Sequence, residues 1–449
     1  MATITYKFLH FANLKDIPNW SVQYADGEDL GFTKKYPMAR IGSFLVRRKE
    51  AIDIQDGIIY KRVTVSTKGG NITIRDQKDG RMIGTKKQFV IHEGQFLLSK
   101  IDARNGAYGV VPAIAEGAII TGNFWTYDVD YEIINPQFLT LVTKTQQFLD
   151  FAEKSSNGTT NRHYLQENAF LNQQIPLPSI EEQKKILDDY NRHIESAKRK
   201  QYKIDSLAFD SQKLICNILG IKQKMSQESK SLLQFINLTD TDSRWDALVD
   251  NYAIESKYQI YNLGKFIMHI STGTTPPTSH PEYFDGDVKF FTPADLGNNK
   301  YLEHSSRTIS NVAVENKKAR IYHKGDILFV GIGSTVGKVG IVKDEMVSSN
   351  QQITGFTIDS SKINPEYVYY YLLYNRDITT AEQSKTTLPI VNQDKICKIP
   401  IVVPPTKVQD EIVSSLDKMY LEAKQDEKDI TSLERKALSL FEHKIFDYI

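Results

Sequence analysis

The sequence predicts an α+β protein: two pseudo-repeated mixed α/β domains separated by a long antiparallel two-helix coiled coil. Three observations lead there. Short motifs recur in the same order, offset by about 226 residues along the 449-residue chain, which is the signature of an internal duplication. The first part of each copy mixes short β-branched runs with turns. Each copy then closes on a proline-free stretch whose apolar residues are spaced alternately by three and four.

The duplication is read motif by motif. Lys35-Tyr36 followed by Ile41-Gly42-Ser43-Phe44 matches Lys257-Tyr258 followed by Leu263-Gly264-Lys265-Phe266. His92-Glu93-Gly94-Gln95-Phe96-Leu97 matches His323-Lys324-Gly325-Asp326-Ile327-Leu328. Gly106 to Val111 matches Gly337 to Val342, Ile134-Asn135-Pro136 matches Ile363-Asn364-Pro365, and Thr159-Thr160 matches Thr386-Thr387. Ile175 to Pro178, with Gln183 and Ile186, matches Ile401 to Pro404, with Gln409 and Ile412. Small drifts in the offset are what loop insertions produce.

Each element has a local cause. Ile58 to Ser66 and Asn71 to Arg75 are strands around a hairpin turn at Lys68-Gly69-Gly70. Val288 to Thr292 and Asp326 to Val330 are strands of the second copy. Pro136 and Pro365 open helices capped by Asn135 and Asn364, with Phe138 to Phe151 and Tyr367 to Tyr374 as their apolar stripes. The long helices run from about Ile180 to Leu219 and from about Lys407 to Ile445, each after prolines. The first seam is Ile186, Tyr190, His193, Ala197, Lys200, Ile204, Leu207, Ser211, Leu214 and Ile218. The second is Ile412, Leu416, Met419, Ala423, Asp426, Ile430, Leu433, Ala437 and Leu440. Two readings of these seams stand: the helices pair, which sets Lys200 against Asp426, or each packs on its own domain. A paired helix of this length spans roughly 60 Å and works as a ruler. The expected boundaries are 1–178 and 220–404 for the domains, and 179–219 and 405–449 for the helices.

Bulk properties narrow the class. Two cysteines, Cys216 and Cys397, exclude a disulfide framework and suit a reducing cytosol. The N-terminal stretch does not read as a signal peptide, and no run approaches the roughly 20 apolar residues of a membrane span. The expected location is cytoplasmic. The net charge of +1 gives no basic excess, so nucleic-acid binding must rest on local patches.

Several chemistries are suggested and fail. Gly331 to Lys338 misses the phosphate-loop spacing at Ile332 and Val339. Asn135-Pro136-Gln137-Phe138 and Asn364-Pro365-Glu366-Tyr367 lack the second proline of an amino-methyltransferase loop. Asp285-Gly286-Asp287-Val288-Lys289 reads as a turn before a strand rather than as a nuclease fragment. The nine histidines form no metal-ligand pair. No metal site and no catalytic residue is expected.

Ser271-Thr272-Gly273-Thr274-Thr275-Pro276 and Phe290-Phe291-Thr292-Pro293-Ala294-Asp295-Leu296 carry a resemblance. So do Gly325-Asp326-Ile327-Leu328, Gly337-Lys338-Val339-Gly340, Asn350-Gln351, and Pro404-Pro405 followed by Gln409. In this order, duplicated and joined by long heptad helices, they resemble the specificity (S) subunit of type I restriction-modification systems. The first copy departs from the pattern. It lacks the Gly-x-Thr-Pro and Thr-x-x-Asp-Leu segments, and Asn123-Phe124 stands in place of the Asn-Gln pair. The resemblance implies two target recognition domains, each reading half of an interrupted, asymmetric site in double-stranded DNA. It implies that the paired helices set the gap and help recruit two methyltransferase (M) subunits, with restriction/motor (R) subunits joining. It also implies a recognition subunit with no catalytic site or cofactor of its own, S-adenosylmethionine, ATP and magnesium residing on the partners. The alternative, favoured by the near-neutral charge, is a coiled-coil scaffold that binds no DNA.

The candidate DNA contacts follow from side-chain chemistry, with lysines suited to phosphates and arginines and amides to base edges. In the first domain they are Lys61, Arg62, Lys68, Arg75, Lys78, Arg81, Lys86 and Lys87, then Arg104, Asn105 and Tyr108, then Thr159, Thr160 and Arg162. In the second they are Thr272, Thr274, Thr275, Arg307, Lys317, Lys318, Ser334, Thr335, Lys338, Lys385, Thr386 and Thr387. The competing explanation for the first cluster is a solvated hairpin that uses lysines against edge-to-edge aggregation.

Overall fold

The computed structural model describes residues 30–67, 71–157, 163–223, 254–297, 299–380 and 389–446. The chain divides into two compact units, Met1–Arg199 with Asp429–Ile449, and Lys200–Lys428. Each unit therefore holds one β-rich lobe and a part of both long helices.

In the first unit an antiparallel sheet runs in the order Leu45–Arg48, Phe124–Val129, Phe96–Ser99, Tyr108–Val110. A second sheet runs Glu50–Asp53, Lys87–Val90, Ile119–Ile120, Ile59–Val65, Ile72–Asp79. Its one parallel step joins Arg62 to Ile119. The second unit repeats this plan. One sheet runs Ile267–Thr272, Ile353–Ile358, Ile327–Val330, Val339–Val342, Tyr301–Leu302. The other runs Arg307–Ile309, Phe284–Phe291, Val347–Ser349, Ile321–Tyr322, again with a parallel step, between Phe284–Phe291 and Val347–Ser349. Four strands of each sheet correspond in order, and each lobe adds one edge strand of its own.

The correspondence extends to single hydrogen bonds. Gly94 donates to Val111 O as Gly325 does to Val342 O, and Ser99 donates to Ala107 O as Val330 does to Lys338 O. Gly94 and Gly325 have φ of 81° and 90°, a left-handed turn that glycine enters without steric cost. The loop carbonyls also fix the register. Lys100 donates to Asn123 O, and Gly331 donates to Gln352 O. Asn123 is therefore the counterpart of Gln352, and Thr121 that of Asn350. This corrects the match of Asn123-Phe124 with the Asn-Gln pair by two positions.

Two expectations about local elements are revised. The apolar run Phe138 to Phe151 is two helices, Pro136–Lys144 and Gln146–Lys154, because Thr145 is extended at ψ 148°. The Thr145 hydroxyl donates to Val142 O at 2.8 Å, a local bond that competes with the helix ladder. Asp285 to Lys289 lies inside the strand Phe284–Phe291 rather than before it, at an irregularity between Phe284 and Val288. The hairpin strands form as expected, Ile59–Val65 against Ile72–Asp79 with a bulge at Arg62/Val63. The turn at 68–70 lies outside the described residues.

The long helices are Ile180–Leu219 and Thr406–Ile445. Gly220, at φ 65°, ends the first in the left-handed conformation usual just past a helix terminus. Both starts are braced by a buried glutamine. Gln183 Oε1 accepts from Asn135 N at 2.8 Å and Nε2 donates to Pro178 O at 2.9 Å. Gln409 repeats this with Asn364 N at 2.9 Å and Pro404 O at 2.8 Å. The glutamines thereby tie each long helix to the asparagine that caps the lobe's own helix.

The helices pair antiparallel. In the second unit Lys200 Nζ meets Asp426 Oδ1 at 2.6 Å, Lys203 Nζ meets Glu422 at 2.5 Å, and Ser211 Oγ lies 3.6 Å from Met419 Sδ. Ile215 and Leu219 share a core with Ile412 and Leu416. In the first unit Ile186 and Leu187 share a core with Phe441 and Ile445. Every residue named for the two seams is buried or half-buried. Toward the lobes the deepest positions shift by one, to Ile215 and Leu219 and to Phe441 and Ile445, where the helices pack on sheet and loop as well as on each other. Lys200 and Lys203 hold the Asp426 carboxyl below the usual carboxylate range.

Candidate nucleic-acid interface

The basic residues of the first lobe divide into committed and uncommitted groups. Arg62 makes a two-pronged ion pair with Asp76, Nε to Oδ1 at 2.7 Å and Nη2 to Oδ2 at 2.6 Å, and holds that carboxyl below its ordinary value. Lys86 bridges Asp56 and the Gly80 carbonyl, both at 2.8 Å. Arg81 projects from a short turn, its side chain 71% exposed; Asp79 accepts that turn's Arg81 N–H and the Gly57 N–H, which lowers the Asp79 pKa. Lys61 and Lys87 are exposed and Lys78 is half-buried; within the described residues none of the three lies in an ion pair. Arg75 sits at the hairpin bulge with its side chain 62% exposed, its guanidinium 3.8 Å from Asp76. Among the described residues the tight ion pair of the hairpin is thus Arg62–Asp76, with Arg75 at the edge of the same carboxylate and largely exposed, while Lys61 and Lys87 face solvent.

Arg104 and Asn105 occupy the turn Ala103–Asn105, with Asn105 exposed. Tyr108 is different. It is 0% exposed and packed among Phe96, Phe148 and Phe170. The alternation of its short strand turns the ring inward, so Tyr108 is a core residue and offers no surface to DNA. Lys68, Thr159, Thr160, Arg162, Lys385, Thr386 and Thr387 lie outside the described residues.

In the second lobe the threonine-rich entry is largely structural. Thr272 Oγ1 lies 3.1 Å from Thr354 Oγ1 and accepts from Gln393 Nε2 at 2.9 Å, and Thr275 Oγ1 donates to Gln351 at 2.7 Å. A Cβ on Gly273 would lie 2.3 Å from Asn350 O, so only glycine fits there. Thr274 is exposed. Lys317, with φ 55°, and Lys318 are exposed just past the helix Asn311–Glu315. Lys338 lays its stem over Gly297 and reaches the Pro293 carbonyl at 3.5 Å.

Arg307, Ser334 and Thr335 come together. With Thr292, Ser306, Asn350 and Gln352 they line a cleft of about 470 Å³ where the two sheets of the lobe meet. Its walls are braced. Asp295 Oδ2 accepts from Thr292 N and Oγ1, both at 2.7 Å, and its Oδ1 accepts from Ser306 N at 3.0 Å. This is the physical role of the Thr-x-x-Asp-Leu segment, whose Leu296 is fully buried. The opposite wall, 331–337, is fixed by Gly331 N to Gln352 O, Gly333 N to Pro389 O and Arg376 Nε to Val336 O at 2.8 Å. Those amides are consumed by the chain itself, so the glycine-rich stretch is a wall and not a phosphate cradle.

The first lobe carries a matching cleft of about 280 Å³, lined by Arg62, Thr64, Arg75, Gln88, Asp102, Thr121 and Phe124 among others. It lies at the same junction of sheets. The two arginines come from the same strand of the repeat. Pairing sets Arg62 opposite Asp76 and Phe290 opposite Arg307, which puts Arg75 and Arg307 one residue apart in register at the bulge. Sequence reading nominated both arginines without matching them, since no shared motif surrounds them.

Two lobes of one plan with unlike clefts, joined by paired helices, define a tandem recognition protein. The family model for the type I restriction modification DNA specificity domain matches residues 24–205 and again 255–435. The chain belongs to this family. It is 29% identical over 194 residues to the type I restriction enzyme MjaIX specificity subunit of Methanocaldococcus jannaschii, an alignment that spans 41% of this chain and 43% of that relative. It is 22% identical over 383 residues to the HindI specificity subunit of Haemophilus influenzae, covering 73% of this chain and 81% of that one. A chain from a structure concerned with complex assembly and conformational transition of the type I R-M system shares the fold. The TM-score is 0.50 at 16% identity, over 92% of this chain and 98% of that chain. Among the described residues no helix is long and apolar enough to cross a membrane.

Proposed function

We propose that this chain is the DNA-reading subunit of a type I restriction-modification complex and works in the cytoplasm. Each lobe binds one half of an interrupted, asymmetric site in double-stranded DNA. The observation that carries this reading is the repeated scaffold with differently lined clefts. Similar scaffolds present similar docking surfaces to two copies of one methyltransferase subunit, and unlike linings give a site without two-fold symmetry. Restriction/motor subunits join that core. The chemistry, with S-adenosylmethionine, ATP and magnesium, belongs to the partners, and this chain contributes recognition alone.

Exposed Lys61, Lys87, Lys317 and Lys318 contact phosphates, and binding weakens as salt rises because each contact releases condensed counterions. The test maps methylated adenines genome-wide with and without the chain, then exchanges residues 1–178 for the equivalent domain of a relative. One half of the methylated sequence changes and the other stays. If both halves change, or neither does, modular reading is wrong. A coiled-coil scaffold without DNA binding would instead leave the methylation map the same with and without the chain.

A further inference from the structure

We infer that each lobe reads its half-site through the cleft where its two sheets meet, with Arg307 in the second lobe and Arg75 in the first contacting a guanine. This rests on the DNA-reading function proposed above and assigns it to particular side chains.

The second cleft carries the argument. Arg307 is exposed at its rim, and within the described residues it has no ion pair. No aspartate or glutamate among the described residues lines the cleft. Its donors and acceptors, from Ser334 and Asn350 among others, stand on walls fixed by the Asp295 bonds and the 331–337 loop. A braced polar cleft loses little freedom when a ligand enters. Among the described residues that line it the one formal charge is a guanidinium, whose planar fork matches the O6 and N7 acceptors of guanine in the major groove.

The first cleft has the same position and a different lining. Arg75 again projects from the outer hairpin strand. Asp102 and Thr121 take the places of Gly333 and Asn350, by the hydrogen-bonded register of the loops. A carboxylate beside an arginine accepts from a cytosine or adenine amine, which the second cleft cannot do in that way. The two copies therefore each carry an arginine on this strand, one register position apart, among different neighbours, a direct route to two half-sites of unlike sequence. Lys317 and Lys318 stand outside the cleft on a helix end, a placement suited to phosphates, which carry no sequence.

The experiment uses the full chain in complex with its methyltransferase subunit. Methylation is read across a randomised DNA library for the native chain and for Arg307→Ala, Arg307→Lys, Arg75→Ala and Lys317→Ala. Arg307→Ala relaxes the guanine requirement at one position of one half-site by roughly 5- to 150-fold and leaves the other half-site intact. Arg75→Ala does the same in the other half. Arg307→Lys keeps the charge and overall binding but loses the preference, because lysine lacks the two-pronged geometry. Lys317→Ala weakens all sequences alike. The inference is overturned if both arginine-to-alanine variants keep every base requirement, or if they weaken all sequences uniformly as Lys317→Ala does. A native complex that shows no two-part methylation sinks the proposed function itself, which is a separate result.

Discussion

Replacing Gln409 by alanine removes the brace between the second long helix and its lobe. Gln409 is 2% exposed. Its carboxamide accepts the Asn364 N–H at 2.9 Å and donates to the Pro404 carbonyl at 2.8 Å. Alanine leaves both backbone groups without that partner, at about 1–3 kcal/mol each when water cannot replace it, so the expected loss is about 2–6 kcal/mol. Gln183→Ala should cost at least as much, because Gln183 Nε2 also reaches the Ile133 carbonyl at 3.1 Å. Gln409→Met, which keeps volume and removes the bonds, separates hydrogen bonding from packing and should retain most of the loss. Hydrogen exchange of the full chain is the assay, since it resolves each helix start. Exchange at the amides of 365–374 and 406–416 should quicken roughly 30-fold or more in Gln409→Ala, and the first lobe should be unchanged. A loss below about 0.5 kcal/mol, or a Gln409→Met variant as protected as the native chain, would refute the reasoning.

Three further outcomes follow from the geometry. His92 bridges Glu116 at 2.7 Å and Glu50 at 3.1 Å, and its pKa is raised, chiefly by the Glu116 hydrogen bond and then by Glu50. A raised folded pKa means that the stabilisation is fully present below the unfolded value near 6.5 and is lost as pH rises through the folded value; the melting temperature of the native chain should fall across that window, and His92→Gln should flatten the fall. Gly273→Ala sets a methyl carbon 2.3 Å from both Asn350 O and Ser349 Oγ; a loss of about 1–3 kcal/mol is expected in denaturant unfolding, and an unchanged midpoint would show that the strand edge can yield. Inserting seven residues into each long helix, between Ala197 and Leu207 and at the matching place in the second, lengthens each by about 10.5 Å; methylation mapping should find a changed gap between unaltered half-sites, and altered half-sites would contradict the spacer role.

The helical part of the molecule was legible because its cause is periodic. Alternating spacings of three and four name a buried stripe without knowledge of the partner, and Lys200 and Asp426 meet at 2.6 Å as their matched seam positions require. Paired prolines and asparagine caps placed the helix starts for the same local reason. The β-rich parts were legible as a duplication and less so as geometry. A bulge between Arg62 and Val63 shifts the hairpin by one residue, and Asn123 turns out to stand where Gln352 does. Neither is visible in a string, because strand register depends on partners distant in sequence. Tyr108 was misjudged for a related reason. A polar aromatic beside Arg104 and Asn105 suggests a surface, yet strand alternation buries it among Phe96, Phe148 and Phe170.

The amino-acid order alone determined the duplication, the long helices and their seams, because each depends on residues near one another along the chain. Tertiary structure decided which basic groups are already spent on carboxylates, as Arg62 is on Asp76. It also decided which polar residues of distant segments meet in the two clefts. Only the folded sheets bring Arg307 beside Ser334 and Asn350, since a cleft exists where strands far apart in sequence come to lie edge to edge.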